Sequence, residues 1–176
     1  MAIKIERRLE RLEGDWRRLL ESVSGVDETR LNEPPAEAKW SIAQILSHLL
    51  QSEDLALRYL NKKSQAGAGM EKVRLASWWR LTALVVALRS PLRVRAPAVV
   101  ATVPEHRGLD DLLEQRKGLL EGWRAFIAGY PDALLDRACY RHPYAGRLSL
   151  DQCLITLKEH LRHHAKQVAR IKGRPR

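Results

Sequence analysis

Three of the six histidines of this 176-residue chain lie within five positions of one another, at His160, His163 and His164. The apolar residues around them recur at helical spacing, which predicts a helix. At about 100° per residue, His164 falls inside the apolar stripe, His160 falls at its edge, and His163 falls on the side predicted to face water. Because residues four apart on a helix are neighbours, His160 and His164 could share a metal ion. The alternative is that both are ordinary residues at the boundary of the core.

A metal bound by two histidines needs a third ligand, and His48 is the natural candidate. It lies half-way along another predicted helix, at the edge of that helix's apolar stripe. Side chains from facing helices converge in the core of a helix bundle, so His48 could meet the pair on the last helix. Three imidazoles would leave a fourth coordination position open, as in catalytic rather than structural metal sites. Taken alone, His48 would be interpreted as a tolerated boundary residue.

Five segments carry the apolar periodicity of amphipathic or buried helices. They are, approximately, residues 3–23, 42–61, 71–89, 109–128 and 150–171. The second and the last begin at capping boxes, formed by Ser41 with Gln44 and by Ser149 with Gln152. No alternation typical of strands persists anywhere. The pattern predicts an all-α fold, an antiparallel four-helix bundle in one domain over residues 1–176, with an additional helix and a long loop between the halves.

The segments outside these helices carry further predictions. Residues 90–108 contain three prolines and cannot form one helix. Long loops inside compact domains are often functional, so this loop is a candidate rim or lid. A basic tail is predicted from about residue 172.

Two further residues are expected to have structural roles. His142 precedes a proline in a turn and is expected to cap or pack there, and Cys153 is expected to pack in the core.

Composition excludes several classes of protein. The chain has 31 Lys and Arg against 21 Asp and Glu, for a formal net charge of +10. No nucleic-acid-binding motif accompanies this charge, so nucleic acid is not an expected partner. Two cysteines cannot form a disulfide framework or a zinc ribbon. No apolar segment reaches the roughly 20 residues needed to cross a bilayer, and a soluble, cytoplasmic protein is expected. The apolar third helix, with Trp78 and Trp79, favours a homodimer.

Two stretches of the sequence resemble a known family. Residues 39–49, KWSIAQILSHL, resemble the second-helix signature of the DinB-like (DinB/YfiT) superfamily, in which Trp-Ser is followed by His-Leu. Residues 142–150, HPYAGRLSL, followed by His160-x-x-x-His164, resemble the end of the same family's pattern. The resemblance implies an antiparallel four-helix bundle that binds one divalent metal, usually zinc or nickel, through His48, His160 and His164. Some relatives are S-transferases or isomerases that use low-molecular-weight thiols, and many have no assigned activity.

The function expected from this resemblance is that of a metal-dependent thiol S-transferase or hydrolase acting on a small molecule. The expected cofactors are a divalent transition metal and, for the transferase, a low-molecular-weight thiol. No catalytic residue besides the metal ligands is assigned. Arg141, Arg147 and Arg162 are candidates for holding a carboxylate-rich thiol. The alternative is a non-enzymatic basic binding module with a vestigial metal site.

Overall fold

The computed structural model describes residues 2–90, 103–104 and 106–173. Within these ranges the chain forms six α-helices, which are α1 (Ala2–Val23), α2 (Glu28–Asn32), α3 (Ile42–Ser64), α4 (Leu75–Arg89), α5 (Leu109–Ala128) and α6 (Leu150–Lys172). Two short strands, β1 (Tyr140–His142) and β2 (Gly146–Leu148), pair in an antiparallel hairpin before α6. The predicted all-α class is therefore confirmed. No helix in the described residues is long and apolar enough to cross a membrane.

The bundle consists of the four long helices α1, α3, α5 and α6. Their apolar stripes meet in one core, because each helix has the three- and four-residue spacing that places apolar residues on one face. Its buried side chains include Leu12, Trp16, Ile45, Leu46, Leu112, Trp123 and Leu161. The core therefore uses all four apolar stripes that the sequence predicts for these helices.

Helices α1 and α6 run in the same direction. Lys4 near the start of α1 pairs with Asp151 near the start of α6 at 3.0 Å. Further along, Asp15 on α1 pairs with Arg162 on α6 at 2.6 Å. Contacts that advance together along both helices require a parallel arrangement.

Helices α3 and α5 also run parallel to each other and opposite to α1 and α6. Glu53 pairs with Arg116 at 3.3 Å, and Leu57 packs against Gly122 further along both helices. Between α1 and α5 the order is reversed, since Trp16 contacts Arg116 whereas Glu13 pairs with Arg124. The bundle is thus antiparallel as two opposed pairs, in the order up-down-down-up, and a long crossover that includes α4 joins α3 to α5.

The crossover helix α4 lies outside the bundle, against α6 and the hairpin. It begins at Leu75, four residues later than predicted, because the residues before it are extended. In that segment Val73 N donates to Asp136 O at 2.9 Å and Ala138 N donates to Glu71 O at 2.8 Å. The hairpin itself was not predicted, since three-residue strands are too short to show alternation.

Local signals gave the helix boundaries most reliably. Both predicted capping boxes are present. In each, the serine side chain accepts a hydrogen bond from the backbone N–H of the glutamine, and the glutamine side chain accepts one from the backbone N–H of the serine. Helix α3 continues three residues beyond its predicted end, and α2 was not predicted. The candidate rim or lid over residues 90–108 lies largely outside the described residues, as does the tail from residue 174 onward.

Candidate metal centre

Helices α3 and α6 bring His48, His160 and His164 together. The Nε2 atom of His160 lies 3.1 Å from Nε2 of His48 and 3.1 Å from Nε2 of His164. One ring nitrogen of each histidine lies within 4.8 Å of those of the other two. His48 and His164 are buried and His160 is half-buried, as expected for a residue at the edge of the apolar stripe. The structure therefore brings together the three histidines that the sequence singles out.

The chemistry of these contacts suits a cation better than hydrogen bonding. A ring nitrogen of neutral imidazole carries either one proton or one lone pair, so Nε2 of His160 cannot form a full hydrogen bond with both neighbours. A metal takes one lone pair from each ring instead. Metal–nitrogen bonds of about 2.0–2.1 Å at tetrahedral angles place two ligand nitrogens about 3.3 Å apart. The observed 3.1 Å agrees with this separation to about 0.2 Å.

The electrostatics of the cluster keep His160 and His164 neutral. Burial, followed by the neighbouring imidazoles, lowers the pKa of His164 to about 3. Burial is also the largest cause that lowers the pKa of His160 well below its ordinary value, and His164 and His48 add to the effect. Neutral imidazole is the form that binds metals, so both rings are ready to act as ligands near pH 7.

Comparison with known protein families identifies the family of this chain. The family model described as the DinB superfamily matches residues 11–168. The chain belongs to the DinB superfamily. The matched region includes all three clustered histidines, and membership together with their geometry is compatible with a metal-binding protein. A search of curated proteins finds no significant match.

In this DinB superfamily protein, two further residues position the cluster. Nδ1 of His164 lies 3.0 Å from Oε1 of Gln167, an oxygen that can only accept a hydrogen bond. Nδ1 therefore carries the proton, which leaves the Nε2 lone pair directed into the cluster. The indole of Trp40 packs against the rings of His48 and His164, with centroids 4.8 and 6.4 Å away. Sequence analysis missed Gln167, although its position one turn after His164 was an available signal.

The prediction that His163 faces water is wrong. Its side chain is half-buried, and Nδ1 lies 2.8 Å from the carbonyl oxygen of Leu88 on α4, to which it donates. On the same side of α6, Glu159 is buried and accepts two hydrogen bonds from Arg89, at 2.8 and 2.9 Å. The reason is that α4 covers this side of α6, which the periodicity of α6 by itself does not reveal.

Two of the three arginines proposed to hold a carboxylate-rich thiol are already paired within the protein. Arg162 pairs with Asp15 at 2.6 Å, and Arg147 pairs with Glu71 at 2.7 Å. Arg141 is exposed on β1. These ion pairs neutralise much of the positive charge that would be needed to hold a carboxylate-rich thiol.

The two residues expected to have structural roles have them. Nδ1 of His142 accepts hydrogen bonds from the backbone N–H groups of Tyr144 and Ala145, at 3.2 and 3.1 Å, and so caps the hairpin turn. Cys153 is fully buried in the core as a free thiol. Burial raises the pKa of this thiol well above its ordinary value, so it stays protonated and is unsuited to act as a ligand or nucleophile.

Proposed function

We propose that this protein binds one divalent transition metal through His48, His160 and His164 and is a metal-dependent enzyme, either a thiol S-transferase or a hydrolase. The observation that carries the proposal is the convergence of three imidazoles from two helices, with Nε2 of His160 3.1 Å from Nε2 of each of the other two histidines. Zinc and nickel both suit imidazole ligands, so the donor set is compatible with either. Family membership supports the same assignment.

The residues around the histidines prepare them as ligands. Burial holds His160 and His164 in the neutral form, and Gln167 holds His164 in the tautomer whose Nε2 is free to bind. Trp40 packs against the His48 and His164 rings. A metal bound by three imidazoles supplies an open position at which a thiol or a water becomes a nucleophile near neutral pH.

Metal content tests the site. Tag-free protein should contain about one equivalent of a transition metal, which His48→Ala and His164→Ala should both lose. His106→Ala is the matched control, because this histidine is exposed and lies beside Glu28 rather than in the cluster. If the wild type takes up no metal even after incubation with zinc or nickel, the metalloenzyme proposal fails. The basic binding module with a vestigial site would then be the better interpretation.

Activity with and without a thiol separates the two reactions. The metal-loaded protein is incubated with a chromogenic electrophile plus a low-molecular-weight thiol, and separately with a chromogenic ester alone. Turnover of the electrophile that requires both thiol and metal supports the S-transferase. Turnover of the ester without thiol supports the hydrolase. In either case His164→Ala should abolish turnover and His106→Ala should not.

A further inference from the structure

Helix α4 has two apolar faces, and among the described residues only one of them is packed against other elements. Leu81, Leu84 and Leu88 are buried against α6 and the hairpin. On the opposite side, Leu75, Trp79 and Val86 are 83%, 78% and 62% exposed. At about 100° per residue these three side chains lie within about 40° of one another. We call them the outer face of α4.

This arrangement explains why sequence analysis did not recognise the outer face. An interfacial helix is normally identified by a polar side opposite its apolar side. Here the opposite side is buried against the protein, so it is apolar as well, and the helix has no polar side. The sequence therefore indicates a buried element or a packing surface, such as that of a homodimer, and a membrane-surface role would need a sharper polar face than the sequence shows. In the structure one apolar face of the helix is exposed.

The charged residues of α4 itself are all arginines. From Leu75 to Arg89 the helix contains no Asp or Glu. Arg74 immediately precedes it and Arg80 lies within it, and neither forms an ion pair among the described residues. Arg89, at the end, is paired with Glu159. A partner that covers this face must therefore combine an apolar interior with negative charge.

We propose that the outer face of α4 docks onto an anionic lipid surface. Leu75, Trp79 and Val86 would lie at the boundary between headgroups and acyl chains, where tryptophan is favoured, and Arg74 and Arg80 would lie near the lipid phosphates. A second copy of the chain fits less well, because a symmetric contact brings the arginines of both copies together. The outer face is a ridge on a single helix, and a fluid bilayer accommodates a ridge without a complementary groove.

Docking would place the histidine-bearing helix directly behind α4. Arg89 and the His163 hydrogen bond to Leu88 join α4 to α6 beside His160 and His164. The proposal does not depend on metal binding, because it rests only on the exposed side chains and the charges of α4.

Vesicle binding tests the proposal. Wild-type protein should sediment with vesicles of phosphatidylcholine mixed with phosphatidylglycerol, bind pure phosphatidylcholine more weakly, and lose binding as salt is added. The double variant Leu75→Ser/Trp79→Ser should bind at least about tenfold more weakly, and Arg80→Gln about fivefold more weakly. Ile3→Ser is the matched control, since Ile3 is also exposed but lies on α1, and it should bind like the wild type.

Three results would overturn the proposal. The first is a wild type that does not bind anionic vesicles at low salt, and the second is a double variant that binds them as well as the wild type does. The third is self-association without vesicles that Leu75→Ser/Trp79→Ser abolishes, which would assign the face to a second copy. Quenching by brominated lipids gives a measurement that does not depend on the folding of the double variant. Trp79→Phe should lose most of the quenching seen in the wild type.

Discussion

Acidification should destabilise the metal-free protein, and the pKa values of its buried histidines set the pH range in which this occurs. In the unfolded chain a histidine has a pKa near 6.5. In the folded protein, burial lowers the pKa of His164 to about 3 and that of His160 well below the ordinary value. Between the unfolded and folded pKa values the unfolded chain binds protons that the folded protein does not. Stability is therefore complete above about pH 6.5 and falls as the pH drops below it.

The size of this loss follows from the shift at His164. At pH 5 the medium is about 1.5 units below the unfolded pKa, and each unit corresponds to about 1.4 kcal/mol. His164 alone should therefore lower the free energy of unfolding by about 2 kcal/mol relative to neutral pH. His160 acts in the same direction and adds to the loss. A domain of this kind is stable by about 5–15 kcal/mol, so the change is a large fraction of the total.

Urea unfolding of chelator-treated protein, followed by circular dichroism near pH 7 and pH 5, measures the change. His164→Gln removes one of the buried titrating groups, so its pH dependence should be smaller than that of the wild type by about 2 kcal/mol. His106→Gln, at an exposed position, should keep the full dependence. A free energy of unfolding that does not change between these pH values in the wild type would refute the reasoning. Equal dependence in the wild type and His164→Gln would also refute it.

Further predictions concern residues that support the site and the core. Gln167→Ala should weaken zinc binding about 10–100-fold, because His164 loses the acceptor that sets its tautomer, whereas Gln167→Glu should retain binding; competition with a chromophoric chelator measures both. Arg116→Ala should lower the free energy of unfolding in urea by about 3–5 kcal/mol, because it leaves the buried Glu53 carboxylate unpaired, and Arg116→Met/Glu53→Leu should cost less. Ser149→Ala should cost about 1 kcal/mol in thermal unfolding through loss of the cap on α6.

Much of the helical architecture could be predicted because its signals are local. Apolar spacing predicted the bounds of α5 to the residue, Leu109–Ala128, and the capping boxes placed the starts of α3 and α6. The same periodicity placed His164 in the core and His160 at its edge. These features depend on residues within one or two turns of each other, so the sequence contains all the information they require.

The sequence by itself therefore determined the helices, the buried faces of the bundle and the candidate ligands His48, His160 and His164, and the family signature selects the same three residues. Only the tertiary structure decided the parallel pairing of α1 with α6, the hairpin, the environment of His163 and the exposure of one apolar face of α4. The physical reason is the same in each case. A residue pattern shows which side of a helix avoids water, but which element covers that side depends on contacts between segments far apart in the chain.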